Sequence, residues 1–368
     1  MIVIAADTHK STHSFSAVDE QTGRLAAEKA FGADERGMLA TLRWANGLDD
    51  QQRVWALEDC RHVSGRLERA LVAAGERVIR VAPKLMGQSR RAERDAGKSD
   101  VIDARAIARA VLKDGVESFP VAFLDERAME IRLLADHRAD LIAERTRMQS
   151  RLRWHLLELD DELEAQVPAG ALSHLTWLDR VERRLKRLEQ AARVRVARDE
   201  LRRIREHTRT ANELERHIKT LIADYRPELL ELKGCGVLSA ATLIARTAGA
   251  ARFKTDGHFA RQAGAAPIPA SSGRKNRQRL NRGGDRQLNA ALHRIAVAQG
   301  QHHPPAKTYL ANKQAEGKSR IEALRCLKRH LARTVWQLLR DHPDQINSLS
   351  MTKNNNNANA PAPALALT

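Results

Sequence analysis

Four acidic side chains occupy positions where folding could bring their carboxylates together. Asp7 follows the apolar run Ile2–Ala6, and Glu58 ends a later apolar run. Asp100 and Asp103 are three residues apart in a helical stretch, and this spacing puts both on one face of a helix. Ligand sites in open α/β sheets gather at the carboxyl ends of strands. We therefore expect the two strand-end acids to lie beside the helical pair.

Carboxylates that converge repel one another, so a cluster of four requires a cation. Ligand sets made only of oxygen select Mg²⁺ or Mn²⁺. Two such ions, about 4 Å apart, would clamp both oxygens that exchange in a phosphodiester displacement. A structural alternative exists for Asp100 and Asp103, because acids in the first turn of a helix are favoured by its dipole. Asp7 alone is also compatible with a structural role.

A second reactive group lies in residues 265–284, a segment rich in Pro, Ser, Gly and Arg. Ser271 and Ser272 precede Gly273, which lets a backbone approach a phosphate closely. The neighbouring cations that could bind this phosphate are Arg274, Lys275, Arg277, Arg279, Arg282 and Arg286. One interpretation is a serine nucleophile that attacks DNA phosphate. The other is a basic loop that only grips phosphate, with the serines as turn formers.

Two other features carry weaker signals. Gly234-Cys235-Gly236 precedes an apolar helix, which suits either phosphate binding at a helix N-terminus or a turn between helices. It is not a dinucleotide fingerprint, because no strand precedes it and a third Gly is missing. His9, His13 and His62 are near the acids in sequence but lack the spacing of a helical zinc site. We assign these histidines supporting or surface roles.

The composition favours a polyanionic partner. Lys and Arg number 63 against 46 Asp and Glu, which gives a formal net charge of +17 and a pI near 10.4. Such an excess suits nucleic acid or an anionic membrane surface. Hydrophobic residues make up 42% of the 368 residues, enough to build cores and to exclude uniform disorder. Aromatic residues are only 4%, which argues against base-stacking modules.

The sequence also predicts a cytoplasmic protein with no membrane span. No run reaches the roughly 18 apolar residues that a spanning helix needs. Residues 1–10 lack the charged region and cleavage site of a signal peptide. Cys60, Cys235 and Cys326 are far apart, so neither a disulfide scaffold nor a cysteine zinc site is expected.

Hydrophobic periodicity predicts an α/β N-terminal region and helices beyond it. Strands are expected at residues 2–6, 14–19, 53–58 and 77–82, with helices at 37–46 and 64–74 between them. This alternation predicts a mostly parallel sheet.

Two long helices are predicted at residues 131–159 and 191–225. They would form either a coiled-coil hairpin around Pro168–Gly170 or a plain bundle, with Arg138, Arg145 and His155 interrupting the apolar seam. The predicted domains are 1–120, a catalytic domain; 121–228, a helical coiled-coil segment; 229–345, a C-terminal domain; and 346–368, a disordered tail rich in Asn, Ala and Pro.

Several short motifs, in order along residues 1–340, resemble those of the DEDD transposases of the IS-one-ten insertion-sequence family. The matching motifs are Ile4–Lys10, Leu57–Cys60, Lys98–Ala104, Leu232–Gly236, Ser271–Gly273 and Arg282–Asp285. Two departures are modest: Ala6 stands where Gly is common, and Gly284-Asp285 stands where Gly-Asn is common.

The resemblance implies an N-terminal RNase H-like domain of the RuvC type, a coiled-coil dimerisation segment and a mainly α C-terminal domain. It implies that Asp7, Glu58, Asp100 and Asp103 bind Mg²⁺. It further implies a serine that forms a phosphoserine link to DNA, which by motif position is Ser272, with Ser271 as the alternative. Family members also act with a structured non-coding RNA from their own element.

The hypothesis is therefore a DNA transposase that cleaves and rejoins double-stranded DNA at element ends and target. Exchange of two DNAs suggests a homodimer or a dimer of dimers. A RuvC-like structure-specific nuclease is the alternative enzyme, since it needs the four acids but no serine. A non-catalytic basic DNA-binding protein is the third hypothesis, and it would tolerate loss of every acid.

Overall fold

The chain folds into two compact units, Met1–Leu124 and a second that begins at Asp125. The computed structural model describes residues 1–48, 52–58, 61–81, 100–119, 121–122, 125–247, 249–250, 253–270, 278–279, 281 and 283–340. The predicted disordered tail, 346–368, lies outside the described residues.

A five-stranded sheet forms the centre of the first unit. Its strands are β1 (Ile2–Thr8), β2 (Thr12–Asp19), β3 (Leu25–Gly32), β4 (Arg53–Glu58) and β5 (Val78–Val81). They lie in the order β3-β2-β1-β4-β5. The first three strands form an antiparallel meander, and β4 and β5 continue the sheet parallel to β1. This arrangement is that of an RNase H-like domain, so the predicted fold class is confirmed.

The prediction of a mostly parallel sheet is wrong, because two of the four strand pairs are antiparallel. Periodicity missed β3, whose side chains are exposed or half-buried along its whole length. An edge strand of this kind has no continuous apolar run to mark it. The turn at Gly23, where φ is +66°, joins β2 to β3 and makes the antiparallel pairing possible.

The two faces of the sheet are covered by different helices. These are α1 (Glu35–Asn46), α2 (Arg61–Ala73) and α3 (Asp100–Asp114), followed by a 3₁₀ turn at Val116–Ser118. Successive residues of a strand point to opposite faces. On β1, Val3 and Ala5 share a core with residues of α3, whereas Ile4 and Ala6 pack with aromatic side chains and α2. We call these the α3 face and the aromatic face.

A buried ion pair fastens α2 to the last strand. Arg80 of β5 is 6% exposed and Glu68 of α2 is 7% exposed. The Arg80 guanidinium donates to both carboxylate oxygens of Glu68, with Nε 2.7 Å from Oε2. An exposed pair offers a contrast in the same unit, where Arg77 donates to Glu117 over 2.6 Å.

Two 34-residue helices dominate the start of the second unit. They are α4 (Glu126–Leu159) and α7 (Ala192–Tyr225), as the sequence predicted. Ion pairs of 2.7 Å between Arg138 and Glu215 and 2.8 Å between Arg151 and Glu200 show that the two helices run antiparallel. They pack on each other within one chain.

The seam between α4 and α7 is apolar at its ends and polar in its middle. One end packs Ile131 with Ile218, and the other packs Leu152 with Leu201. Between them, Arg138 Nε donates to the Ala211 carbonyl over 3.2 Å and Arg145 Nη1 donates to Thr208 over 3.3 Å. The predicted interruption of the seam by arginines is confirmed.

Shorter elements complete the second unit. They are α5 (Asp161–Ala165), a 3₁₀ turn (Ala171–Ser173), α6 (Leu175–Arg187), α8 (Glu228–Glu231), α9 (Val237–Thr247), α10 (Asp256–Gln262), β6 (Ile268–Pro269), β7 (Gln278–Arg279), α11 (Arg286–His302), α12 (Pro304–Ala315) and α13 (Arg320–Arg340). Helices α9, α11 and α13 supply much of one apolar core. In the part of the chain described here, no helix combines the length and apolar character that crossing a bilayer demands.

The buried Arg80–Glu68 pair should contribute far more to stability than the exposed Arg77–Glu117 pair. Replacement Glu68→Ala removes the carboxylate that accepts both hydrogen bonds from this buried guanidinium, so we expect a loss of about 3–5 kcal/mol in the free energy of unfolding. The matched change Glu117→Ala should cost about 0–1 kcal/mol, because water solvates Arg77. Urea unfolding followed by circular dichroism measures both. Equal losses in the free energy of unfolding would mean that burial does not determine how much the Arg80–Glu68 pair stabilises the fold.

Candidate active site

Two of the four predicted acids end neighbouring parallel strands. Asp7 lies near the end of β1 and Glu58 is the last residue of β4. The register pairs Ala6 with Leu57, so each acid is the next residue along its strand. Parallel strands end at the same edge of a sheet, which places these two acids side by side there.

Both acids also point to the same face of the sheet. Residues two apart in a strand share a face, so Asp7 follows Val3 and Ala5 on the α3 face. On β4, Val54 and Ala56 belong to the same core, and Glu58 continues their alternation. The sheet therefore directs both carboxylates towards the helix that covers this face.

That helix contributes the third acid. Asp103 is 5% exposed and lies four and eight residues before Ile107 and Val111, which pack on the sheet. This spacing puts Asp103 on the sheet-facing side of α3. Asp100 is the first residue of α3, but its side chain lies outside the described part. The structure thus brings Asp7, Glu58 and Asp103 to one edge and one face.

An ion pair that no sequence motif indicates anchors α3 beside the sheet. Arg105 donates from Nε and Nη2 to the two carboxylate oxygens of Glu28 on β3, over 2.6 and 2.7 Å. Ser16 on β2 also donates to Glu28. These donors lower the pKa of Glu28, with the Arg105 hydrogen bond as the largest cause. Because Glu28 and Arg105 are 77 positions apart, no local pattern could have linked them.

The histidines near the acids have different surroundings. His9 Nε2 lies 3.2 Å from Asp7 Oδ2, with the His9 side chain half exposed and Asp7 almost buried. A protonated His9 would form an ion pair at the edge of the acid cluster. His62 lies in α2, and its side chain is outside the described part.

His13 faces away from the acids. It is 2% exposed, pairs across the strands with Thr8 and packs edge-on against Phe15 on the aromatic face. Burial lowers the pKa of His13, since an imidazolium there would lose its hydration. His13 is therefore neither beside the acids nor at the surface, and the role predicted for it is wrong.

By donor type, these acids suit a hard divalent cation. Asp7, Glu58 and Asp103 offer only oxygen, the ligand type that Mg²⁺ and Mn²⁺ select. Within the described side chains, no group of three or more acids, histidines or cysteines is close enough to hold a metal ion. The fourth carboxylate, Asp100, is not among those side chains.

Most of the predicted serine loop lies outside the described residues: Ser271, Ser272, Arg274, Lys275, Arg277 and Arg282. Of the predicted cations, Arg279 lies in β7 and Arg286 is the first residue of α11. The described residues that flank this segment in the sequence form a short antiparallel ladder, in which Ile268 pairs with Arg279.

The Gly-Gly-Asp motif before α11 has a structural explanation. A side chain at Gly284 would place its Cβ 2.3 Å from the backbone nitrogen of Gly264. Asp285 caps α11 by accepting from the amides of Gln287 and Leu288 over 2.8 and 2.9 Å. A cap of this kind accepts Asp as readily as Asn. The departure to Asp285 is therefore compatible with the local fold.

The Gly234-Cys235-Gly236 motif forms a packed turn before α9. Gly234 has φ of +79°, and a Cβ there would lie 3.1 Å from the Ile295 carbonyl on α11. Cys235 is buried, which raises the pKa of its thiol to about 12. The turn is held by Gln299, which donates to the Lys233 carbonyl over 2.8 Å. This geometry favours the predicted turn between helices.

Comparisons with protein families match both parts of this chain. The DEDD_Tnp_IS110 family model, described as "Transposase", matches residues 4–159. The model described as "Transposase IS116/IS110/IS902 family" matches residues 226–311. The uncharacterized 44.8 kDa protein of insertion element IS116 from Streptomyces clavuligerus is 29% identical, covering 92% of this chain and 95% of its own. The uncharacterized 42 kDa protein of IS900 from Mycobacterium paratuberculosis is 25% identical, covering 91% and 95%.

Two solved structures of RuvC resemble part of the chain. Thermus thermophilus RuvC has a TM-score of 0.27 and 16% identity, covering 33% of this chain and 99% of its own. The same protein in complex with a Holliday junction substrate has a TM-score of 0.26 and 14% identity, again covering 33% and 99%.

The burial of His13 predicts a pH dependence of stability. Its pKa in the folded chain is below 6.5, so below that pH the unfolded chain binds a proton that the folded chain does not. Stability should therefore fall as the pH drops from 6.5, by at most about 1.4 kcal/mol per pH unit for this group. His13→Leu should reduce this loss in urea unfolding between pH 7 and 5.5. The exposed His137 provides the control, since His137→Leu should keep the wild-type dependence. Identical pH profiles for His13→Leu and wild type would contradict the prediction.

Proposed function

Because this chain belongs to the IS110 family of insertion-sequence transposases, enzymes that cleave and recombine DNA, we propose that its carboxylate cluster and a C-terminal serine share the chemistry. In this proposal the acids of the first unit promote cleavage of a phosphodiester, and the serine of the second unit breaks that bond and keeps the cut end. The substrates are double-stranded element ends and a target. A structured RNA encoded by the element directs the exchange, and a homodimer or a dimer of dimers carries it out.

One observation carries the catalytic part of the proposal. Asp7 and Glu58 end adjacent parallel strands on the face that α3 covers with the buried Asp103. With Asp100, these acids would hold Mg²⁺ or Mn²⁺. When bound, the metal stabilises negative charge on the oxygens exchanged at phosphorus. The acids would position the metal beside that charge. The Arg105–Glu28 ion pair holds α3, which carries Asp103, against the sheet.

Ser272 is the proposed nucleophile of the second unit, and Ser271 is the alternative. The serine oxygen would form a bond to phosphorus while the bond to one strand oxygen breaks, and that oxygen would leave with a proton. One phosphodiester replaces another, so the linkage keeps the energy needed for rejoining. Arg274, Lys275, Arg277, Arg279, Arg282 and Arg286 would bind the surrounding phosphates, and the net charge of +17 supports such contacts.

Two other functions make different demands on these residues. A structure-specific nuclease would use the acids and water alone and would leave no protein–DNA linkage. A non-catalytic binding protein would need none of the acids. The proposal therefore requires that separate changes in the acids and in the serine each prevent recombination.

The acids are tested by isosteric amides. Asp7→Asn and Asp103→Asn should each lower strand cleavage in Mg²⁺ by at least about 10³-fold, because each removes a charged ligand. Asp114→Asn, at the exposed far end of α3, is the matched control and should cleave at the wild-type rate. Thermal unfolding gives an independent readout: Mg²⁺ should raise the midpoint of the wild type and of Asp114→Asn only. Full cleavage by both Asp7→Asn and Asp103→Asn would refute a catalytic acid cluster.

The serine is tested by trapping the covalent intermediate. Ser272→Ala should abolish any protein–DNA adduct that survives a denaturing gel and should block strand rejoining, while Ser271→Ala should leave an adduct. The reverse pattern would identify Ser271 as the nucleophile. If both variants keep the wild-type adduct and rejoining activity, the loop only grips phosphate. Cleavage without any adduct in the wild type would favour the nuclease.

A further inference from the structure

A cavity of about 540 Å³ opens in the second unit. Its walls are α12, α13, the segment Gly264–Pro267 and the strand β7. The volume is in the range of sites for small molecules, roughly 300–1,000 Å³. Gln278 and Arg279, which line it, directly follow the segment that contains Ser271 and Ser272 in the sequence.

The described lining of this cavity is strongly cationic. It includes six basic side chains, Arg279, Lys313, Lys318, Arg325, Lys328 and Arg329. The same lining contains a single carboxylate, that of Glu322. A concave surface with this imbalance concentrates a positive potential and attracts anions.

Half of these cations are neutralised by neighbouring acids. Lys313 and Lys318 lie 2.7 and 3.0 Å from Glu316, and Arg329 lies 2.8 Å from Asp256. These three cations share two carboxylates, so their charges are largely offset and they contribute less to anion binding than unpaired cations do.

Arg279, Arg325 and Lys328 differ, because within the described residues none of them pairs with an acid. Arg325 is exposed, whereas Lys328 is only 5% exposed. The Lys328 ammonium lies 2.6 Å from Asn289 Oδ1, a neutral acceptor. Burial and the charge of Arg325 lower the pKa of Lys328.

The Asn289 amide is itself fixed. Its nitrogen donates to the carbonyls of Ala263 and Gly264 over 3.0 and 2.9 Å, so its oxygen remains directed at Lys328. Packing thus holds a buried ammonium at the cavity without an opposing charge. Such an arrangement is costly in the free protein unless an anion completes it.

Aromatic surface lies beside the cations. Tyr309 of α12 and His330 of α13 both line the cavity, with ring centroids 5.1 Å apart and planes at 81°. Stacking on aromatic side chains is how proteins bind the bases of unpaired strands. The lining therefore offers one surface for a base and another for its phosphate.

We propose that this cavity binds one nucleotide of a single-stranded segment of DNA, with Lys328, Arg325 and Arg279 at its phosphate and Tyr309 at its base. The proposal rests on the function proposed above, in which DNA strands are opened and exchanged. A duplex is excluded by size, because its paired bases and second strand cannot enter a cavity of this volume. The strand would be held close in sequence to the segment that contains the proposed nucleophile.

Cys326 gives a direct measure of occupancy, because this free thiol lines the cavity. Its alkylation by N-ethylmaleimide is followed by mass spectrometry of the full-length protein, in EDTA so that no strand is cut. A 12-residue oligothymidylate should slow the alkylation at least about fivefold. The matching 12-base-pair duplex and inorganic phosphate should require concentrations at least tenfold higher.

Lys328→Met removes the buried charge and keeps most of the side-chain volume. The half-protecting concentration of oligothymidylate should rise at least tenfold, while the thermal midpoint of the free protein should stay the same or increase. Lys307→Met, an exposed lysine of α12 outside this cavity, is the matched control and should behave as wild type. Arg325→Gln, at an exposed position, gives a second test that does not depend on tolerance in the core, and it should also weaken protection.

Three results would overturn the proposal. Unprotected Cys326 in the wild type would show that the strand does not enter. Unchanged protection in both Lys328→Met and Arg325→Gln would remove the cations from the site. Equal protection by duplex or by inorganic phosphate would assign the cavity to another anion. Protection should persist in Asp7→Asn, so a failure of the acid cluster and a failure of this site are distinguishable.

Discussion

Negative charges that must share one edge of a sheet set the main constraint on the first unit. Asp7 and Glu58 are placed together by strand register, and Asp103 is added by α3. Their mutual repulsion opposes this arrangement in the absence of a cation. The fold overcomes it with interactions outside the cluster: the ladder between β1 and β4, the apolar core beneath α3, and the Arg105–Glu28 ion pair. A cation would have to draw the acids closer together, because no three of the described side chains are near enough to one another to hold it.

The sequence reveals the parts of this site that depend on local pattern. Apolar runs locate β1 and β4, and spacing locates the face of α3, so the placement of Asp7, Glu58 and Asp103 at one edge and one face could be predicted. Strand β3 could not, because it is an edge strand without an apolar run. Because Glu28 lies on this strand, its contact with Arg105 could not be predicted either. Contacts between residues far apart in sequence are set by tertiary packing, which periodicity does not encode.

Motifs in the second unit have a different meaning from those in the first. Gly284 and Gly234 are required by close packing, and Asp285 is a helix cap. Their resemblance to family motifs therefore reflects architecture as much as chemistry. The cationic cavity shows the reverse situation, since Lys328 and Asn289 belong to no motif yet form a specific contact. Only the packing of α11 against α13 brings the two residues together.

The polar middle of the α4–α7 seam has a consequence for how this region unfolds. The apolar clusters at its two ends are separated by Arg138 and Arg145, whose hydrogen bonds to α7 contribute little of the cooperativity that a continuous apolar core provides. We therefore expect the end that contains Leu152, Leu201 and α6 to behave as a foldon of its own. Exchange of its amides with solvent would then proceed through a local opening that leaves the core around Ile131 and Ile218 intact.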